Sequence, residues 1–353
     1  MPATKNQRTR KNGTRPRRFS WSRCTKENLL DLRFCDLGLT IAGTWLEGPI
    51  DHIWAALEGR EIRLRPHFWL SEEWFSPSGV PGVAIPFYLA HPRLMKLERE
   101  NMLEVEGGTF DGCLKILRHE TGHAIQHAFQ LQRRRRWQQL FGKSSRRYPD
   151  SYRPKPSSKR FVLHLERWYA QAHPDEDFAE TFAVWFQPRA LWKKRYAGWP
   201  ALKKLKYVDE LMTEIAGKKP LVTSKMYVES LPRLRKSLRQ HYEEKRARYT
   251  VNYPTVYDQD LKRLFSDSPK HRQREAAGAF VRRNSSEIRQ LVSRWTGEYQ
   301  FTLDQVLDDI ITRCRALKLH AGGSERQLKL DFCILLTAHT LRVLYSGRQW
   351  HVL

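Results

Sequence analysis

The chain has 353 residues, 40% of them hydrophobic and 12 of them tryptophan, so it can bury a sizeable core and is not disordered as a whole. Its formal net charge of +25 favours a polyanionic or acidic partner. The alternative is that the protein is a basic but otherwise ordinary enzyme. The five cysteines form no Cys-x-x-Cys pair, which argues against a disulfide framework and favours a reducing cytoplasm.

The first third of the chain predicts one short helix and two strands. A proline near its start and Gly59 just beyond its end delimit a helix over residues 49–57. Residues 61–70 alternate apolar and charged positions, which predicts a half-buried strand. Residues 82–89 predict a second strand, in which Pro86 favours an edge position or a bulge.

Helical periodicity predicts most of the remaining elements. Helices are expected over residues 92–104, 111–131, 161–190, 200–216, 224–247, 258–266, 275–295, 303–318 and 325–346. No window of about 18 apolar residues predicts a transmembrane segment. The pattern predicts an α+β fold, with a small, largely antiparallel sheet over the helix at 111–131 and a mainly helical remainder.

Composition divides the chain into three parts. Residues 1–20 are rich in Lys, Arg and Thr without the apolar stretch of a secretory signal, so they predict a disordered basic arm. Residues 21–220 are expected to form one domain, and residues 221–353 a helical C-terminal region of unknown role. The linker between them is expected near residues 216–223 or in the 249–257 stretch.

A second basic segment interrupts the first domain. Residues 132–160 include four consecutive arginines and only one acid, so they predict a flexible basic insertion. Trp137, Tyr148 and Tyr152 lie among the cations, a mixture that suits phosphate contacts and base stacking. The insertion and the arm at 1–20 are therefore candidates for nonspecific nucleic-acid binding, or are solvated charged surfaces.

The sequence His-Glu-x-x-His occupies residues 119–123. A helix carries positions i and i+4 on one face, so His119 and His123 can both point at one ion. Glu120 lies beside them, where its carboxylate could take a proton from water on that ion. This arrangement is typical of zinc metallopeptidases.

A catalytic zinc needs three protein ligands and an open position for water, so a third ligand must come from elsewhere. The best candidate segment is the acidic stretch 175–180 on a helical pattern. Glu176 and Glu180 share one face, so one can bind the metal while the other hydrogen-bonds a ligand histidine. His127 lies one turn beyond His123 and is expected to be packed or solvated, because three successive histidines diverge from one ion.

Together the two segments resemble a known group of zinc enzymes. Residues 119–123 and the Glu-x-Phe-Ala-Glu of residues 176–180 are similar to the motifs of the gluzincin metallopeptidases, especially the anthrax lethal factor-like group and bacterial zinc-binding metallopeptidases. The resemblance covers roughly residues 50–190. It implies that residues 21–220 form a zincin-like metallopeptidase domain, whose strand at 82–89 binds an extended peptide by strand addition.

The resemblance also assigns roles to single residues. It implies one zinc ion per chain, with Glu176 as the third ligand and Glu180 in support of the site. Tyr169 has the spacing of a tyrosine that stabilises the oxyanion, seven residues before the ligand glutamate. Glu120 would act as general base toward a metal-activated water. From the residues alone, Glu180 as the ligand and Glu176 in support stays an alternative.

The predicted function is zinc-dependent hydrolysis of peptide bonds in a protein or peptide substrate, in the cytoplasm. The alternative is a basic nucleic-acid-associated protein that uses the zincin fold as a scaffold, or a protease recruited to DNA. The presence of Glu120 favours the enzyme, because a scaffold has no need of a general base. A toxin-like effector that acts on one host protein is a third hypothesis.

Overall fold

The computed structural model describes residues 19–149, 151–188, 191–250, 257–345 and 351–352. The predicted basic arm at 1–20 therefore lies outside the described residues, except for Phe19 and Ser20. The described α-helices are α1 (Lys26–Leu30), α2 (Glu47–Glu58), α3 (Pro92–Met102), α4 (Phe110–Phe129), α5 (Arg135–Phe141), α6 (Pro174–Phe186), α7 (Trp192–Arg195), α8 (Ala201–Ile215), α9 (Leu238–Tyr249), α10 (Asp258–Leu264), α11 (Ala277–Thr296), α12 (Gln300–Ala316) and α13 (Glu325–Tyr345). None of these helices combines the length and apolar composition that a bilayer crossing requires.

The largest strand pairing is parallel, so the prediction of a largely antiparallel sheet is wrong. Strand β1 (His67–Ser71) runs parallel to β2 (Gly82–Pro86) over five residue pairs. The connection over residues 72–81 explains the direction, because Phe75 forms a bridge with Ala84, a residue that β1 also pairs. The connection runs along the edge of β2 opposite β1 before the chain enters β2, so the two strands are not joined by a tight hairpin.

Strand β2 is enclosed, which differs from the expected edge strand at 82–89. All five of its residues are buried. One side pairs with β1 and the other carries the bridge to Phe75, where the Ala84 N–H donates to the Phe75 carbonyl at 2.8 Å. After Pro86 the chain turns into a 3₁₀ helix, Phe87–Ala90, since proline offers no N–H to continue the ladder. Strand addition at β2 therefore gains no support from the structure.

The basic insertion is more ordered than its composition indicates. Helix α5 lies inside it, and the Trp137 side chain is fully buried. Residues Ser151–Tyr152 form a short strand, β3, antiparallel to β4 (His351–Val352). The expectation of a flexible segment is wrong for these residues, because the buried side chain of Trp137 anchors α5 in the protein interior.

The predicted helix at 224–247 begins only at residue 238. Ser237 caps α9 by accepting the backbone N–H of Gln240, whose side chain accepts the Ser237 N–H in return. Residues 226–229, which the prediction placed in the helix, instead accept hydrogen bonds from side chains of β1. The indole N–H of Trp69 donates to the Val228 carbonyl at 2.8 Å, which holds that stretch extended.

The buried apolar side chains form two principal clusters. The first includes residues from Trp21 to Tyr242, and the second includes residues from Tyr257 to Leu336. Because Leu231 also packs in the first cluster, the observation favours a linker in the 249–257 stretch over one near 216–223. The division into domains stays a prediction.

Candidate metal centre

Helices α4 and α6 cross at very close range, and this crossing builds the site. A Cβ atom on Gly122 would lie 2.9 Å from the Cα of Ala179 and 3.2 Å from the Phe182 ring. Only glycine fits a backbone approach this close. An interior helical glycine costs about 1 kcal/mol relative to alanine. Here the helix contact that it permits offsets that cost.

The N-terminus of each helix is fixed by a side chain. Thr109 caps α4 by accepting the N–H of Gly112 at 3.1 Å. His173 caps α6 in the same way, its Nδ1 accepting the Asp175 N–H at 3.2 Å. The acids in the first turn of α6 also face the positive end of the helix dipole. These contacts set the orientation of the two helices around the Gly122 crossing.

The crossing brings three candidate ligand atoms together. The Nε2 atoms of His119 and His123 are 3.1 Å apart. Oε2 of Glu176 lies 2.9 Å from Nε2 of His119 and 3.2 Å from Nε2 of His123. All three side chains are buried. These residues form the group in the described part of the chain that has the donor set for a metal ion.

This donor set fits zinc. Two imidazoles and one carboxylate with a fourth position open are typical of catalytic zinc. A tetrahedral centre with bonds of about 2.0–2.2 Å needs ligand atoms roughly 3.3–3.6 Å apart, a few tenths of an ångström more than the 2.9–3.2 Å between these atoms. Burial acts to raise the pKa of Glu176, but His123 and His119 outweigh it and hold that pKa well below its usual range. The carboxylate is therefore available as an anionic ligand.

Glu180 lies behind the ligand atoms. Its Oε1 accepts a hydrogen bond from Nδ1 of His119 at 2.8 Å, and its Oε2 accepts the backbone N–H of Leu165 at 2.9 Å. Carboxylates commonly hold a metal-binding histidine in this way, fixing its tautomer and ring orientation. The structure thus brings Glu176, and not Glu180, to the ligand cluster with the two histidines.

Glu120 faces the cleft in front of this cluster. Its side chain is buried, and its Oε2 has no hydrogen-bond partner among the residues that the structure describes. Burial raises its pKa, while His119 and His123 act in the opposite direction. A buried carboxylate oxygen without a partner is costly, and in a cleft it indicates a functional group.

Tyr169 lines the same cleft, which has a volume of about 640 Å³. Its ring centroid lies 5.5 Å from that of His119. Burial, together with the charges of Glu176 and Glu120, raises its pKa well above the ordinary value, so the phenol stays protonated. The structure therefore brings Tyr169 and Glu120 to one cleft that His119 also lines.

Tyr148 is a site residue that sequence reasoning assigned elsewhere. Its hydroxyl donates to Oε1 of Glu176 at 2.9 Å, and its ring stacks on His173 with centroids 3.7 Å apart. Asp175, which the sequence placed in the acidic stretch without a role of its own, accepts hydrogen bonds from Gln126 at 2.8 Å and Ser144 at 2.9 Å. No local sequence signal identifies Tyr148, because its loop lies far from both motifs along the chain.

His127 does not join the cluster. Its side chain is buried, and burial followed by the charge of His123 lowers its pKa to about 4. It therefore stays neutral at ordinary pH. The expectation that His127 is a packed histidine agrees with this position, and the described ligand group contains only the other two histidines of α4.

The aromatic side chains of the basic insertion are engaged within the protein. Trp137 is fully buried, and the Tyr152 hydroxyl donates to the Arg167 carbonyl at 2.9 Å. Two of the arginines pair with acids on α8, Arg134 with Glu214 and Arg136 with Glu210. These contacts give no support to base stacking by the insertion, so nucleic-acid binding stays a prediction.

Comparison with known proteins supports metal-dependent peptidase chemistry. Residues 95–198 match the sequence model of the family described as "Putative zinc-binding metallo-peptidase". The matched segment contains all of the ligand cluster, with Glu120, Tyr169 and Glu180, and covers less than a third of the chain. Neither the curated proteins nor the solved structures give a match.

Proposed function

We propose that the chain is a zinc-dependent endopeptidase of gluzincin type, similar in its site to the anthrax lethal factor-like group. One observation carries this proposal: Nε2 of His119, Nε2 of His123 and Oε2 of Glu176 converge beside the unpartnered Oε2 of Glu120. The family match over residues 95–198 supports the same chemistry. The substrate is a protein or peptide.

In this proposal His119, His123 and Glu176 hold one zinc ion per chain. Zinc, when bound, supplies a Lewis acid that polarises a carbonyl and lowers the pKa of water toward neutrality. Glu180 keeps the ring of His119 oriented by accepting its Nδ1–H. Tyr148 restrains the carboxylate of Glu176 by donating to the oxygen that does not face the histidines.

Glu120 is the proposed general base. Its free carboxylate oxygen accepts a proton from the attacking water as the water oxygen bonds to the peptide carbon. The same carboxyl group then gives that proton to the leaving amine as the C–N bond breaks. Glu120 therefore ends the cycle in the ionised state in which it began.

Tyr169 is the proposed oxyanion stabiliser. Its hydroxyl, protonated because the pKa is raised, can donate to the carbonyl oxygen as negative charge develops there. Among the described residues no hydrogen-bond acceptor competes for this hydroxyl, whereas those of Tyr148 and Tyr152 donate to Glu176 and to the Arg167 carbonyl. Of the three tyrosines, Tyr169 has the free donor.

The test combines metal content with hydrolysis of fluorescein-labelled casein. The wild type is expected to contain zinc and to cleave casein. Glu120→Gln should keep the zinc but lose activity by about 10²–10⁴-fold, since only the proton acceptor is removed. His123→Ala should lose the zinc itself. A wild type without zinc, or a Glu120→Gln variant with full activity, contradicts the proposal.

A further inference from the structure

The turn between α11 and α12, residues 297–299, reaches the candidate active-site cleft. Gly297, Glu298 and Tyr299 line the cleft that His119, Glu120 and Tyr169 also line. One wall of the cleft is therefore built by the helical C-terminal region, for which the sequence indicated no role. All three of these residues contact the side chain of one arginine.

That arginine is Arg167, two residues before Tyr169. Its Nε donates to the Gly297 carbonyl at 3.0 Å, and its Nη2 donates to Oε1 of Glu298 at 2.8 Å. The guanidinium also lies over the ring of Tyr299, 3.7 Å from the centroid. The Arg167 and Glu298 side chains are only 13% and 7% exposed. Three simultaneous contacts in a buried setting leave the guanidinium a single orientation.

The backbone at this point is strained. Arg167 and Trp168 both have left-handed conformations, with φ of 60° and 54°. Residues with a Cβ rarely adopt this region, and two in succession persist only where their surroundings hold them. The contacts from the α11–α12 turn hold the Arg167 side chain, and the Tyr152 hydroxyl binds its carbonyl. Tyr169 follows directly, so the strained pair sets the backbone position from which its side chain extends.

We propose that Glu298 and Arg167 are positioning residues, through which the α11–α12 turn holds residues 167–168 in the left-handed conformation and thereby fixes Tyr169 beside the candidate metal centre. The inference rests on the proposed function, because that function gives Tyr169 its role at the oxyanion. It makes the C-terminal region a part of the active centre. Loosening the contact should lower turnover while the zinc ligands, on α4 and α6, stay in place.

The first experiment compares two matched variants of the full chain. Glu298→Gln removes the charge that faces Arg167. Asp304→Asn is the control, since Asp304 pairs with Arg289 between the same two helices and does not line the cleft. Hydrogen exchange, measured by mass spectrometry, should become severalfold faster in peptides covering residues 165–170 for Glu298→Gln only. The zinc content of both variants should equal that of the wild type.

The second experiment asks whether Glu298 acts through Tyr169. With fluorescein-labelled casein, Glu298→Gln should lower kcat by about tenfold to a hundredfold with little change in KM, because the substrate still binds while the oxyanion donor is misplaced. In a Tyr169→Phe background the same change should have almost no further effect on kcat. If Glu298→Gln folds poorly, Arg167→Lys tests the same contact. It keeps the positive charge but removes the planar guanidinium group that donates to both Gly297 and Glu298.

Two results would overturn the inference. One is unchanged exchange at residues 165–170 in Glu298→Gln and in Arg167→Lys. The other is a loss of kcat that is as large in the Tyr169→Phe background as in the wild type. If the wild type binds zinc but cleaves no casein, the proposed function fails, and the exchange measurement alone decides whether the α11–α12 turn holds this segment.

Discussion

Glu180 accepts the Nδ1–H of His119 at 2.8 Å and uses its second oxygen for the backbone N–H of Leu165. Because the ring of His119 donates through Nδ1, Nε2 is the nitrogen that faces Glu176 and would bind the metal. Both oxygens of Glu180 are occupied by this arrangement. The geometry therefore favours Glu176 as the third ligand, a choice that the spacing of the two glutamates left open.

Substitution of the two glutamates should separate these roles. Glu176→Gln is expected to abolish tight zinc binding. Glu180→Gln should weaken zinc affinity only about 10–100-fold, because the His119 ring loses a strong acceptor and keeps its place on α4. Competition with a chromophoric chelator measures both affinities. The assignment is reversed if Glu180→Gln loses the zinc and Glu176→Gln retains it.

Gly122→Ala should destabilise the protein, although alanine is the better helix former. The added Cβ would meet the Ala179 backbone at 2.9 Å, so α4 and α6 must separate. We expect a loss of about 1–3 kcal/mol in the free energy of unfolding, as in other overpacked cores. Weaker zinc binding should accompany it, because the ligands lie on both helices. Urea unfolding and zinc titration test this.

Gly48→Ala is the control for that substitution. A Cβ on Gly48 would lie 3.2 Å from the ring of Phe110, which is 41% exposed and can move away. The unfolding free energy should therefore change little or rise slightly. Equal destabilisation by both alanines would contradict the specific role of Gly122 at the helix crossing.

Glu72 should give the protein a dependence of stability on acid pH. Burial acts to raise its pKa, but hydrogen bonds from His241 and Lys236 outweigh this and lower it to about 2, against 4.5 without such partners. A lowered folded-state pKa means that the stabilisation is complete above about pH 4.5 and is lost as the pH falls toward 2. The shift corresponds to about 3.4 kcal/mol, which solvent screening at this partly exposed carboxylate reduces to about 2–3 kcal/mol.

Glu72→Gln is therefore expected to be less stable than the wild type at pH 7, with the difference shrinking as the pH falls below 4.5. Denaturant unfolding at a series of pH values measures this. Glu244→Gln is the matched control, since Glu244 also pairs with Lys236 but its side chain is 58% exposed. Its effect should be smaller. A difference that is constant from pH 7 to pH 3 would refute the linkage.

The sequence predicted the parts of the site that depend on local periodicity. Helix α4, Phe110–Phe129, agrees closely with the predicted 111–131, because the spacing of His119 and His123 and of the apolar residues is set by the helix itself. Glu176 and Glu180 also lie on a helix, as predicted, but α6 begins only at Pro174, so the predicted helix over 161–190 is too long.

Long-range relationships escaped prediction. Alternation at 61–70 indicated a strand, but Glu61 has a left-handed backbone and the Ile62 N–H bonds the Leu57 carbonyl, so these residues end α2. Strand β1 consequently begins only at His67. Three other features depend on residues that share no local pattern. They are the parallel direction of β1 and β2, the contact of Tyr148 with Glu176, and the contacts of Arg167 with the α11–α12 turn.

Tyr148→Phe should weaken zinc binding without removing it. The substitution deletes the hydrogen bond to Oε1 of Glu176 but keeps the ring that stacks on His173, so only the restraint on the ligand carboxylate is lost. We expect a loss of about tenfold in zinc affinity, at the lower end of the range for groups that orient a ligand. Chelator competition measures this on the purified variant.

Tyr152→Phe is the control for Tyr148→Phe, because the Tyr152 hydroxyl donates to the Arg167 carbonyl and not to a ligand. It should leave zinc affinity unchanged. If Tyr148→Phe also keeps the wild-type zinc affinity but lowers kcat on casein, then Tyr148 acts on the substrate. In that case the hydroxyl assigned to the oxyanion would be that of Tyr148, and the role given to Tyr169 would have to be withdrawn.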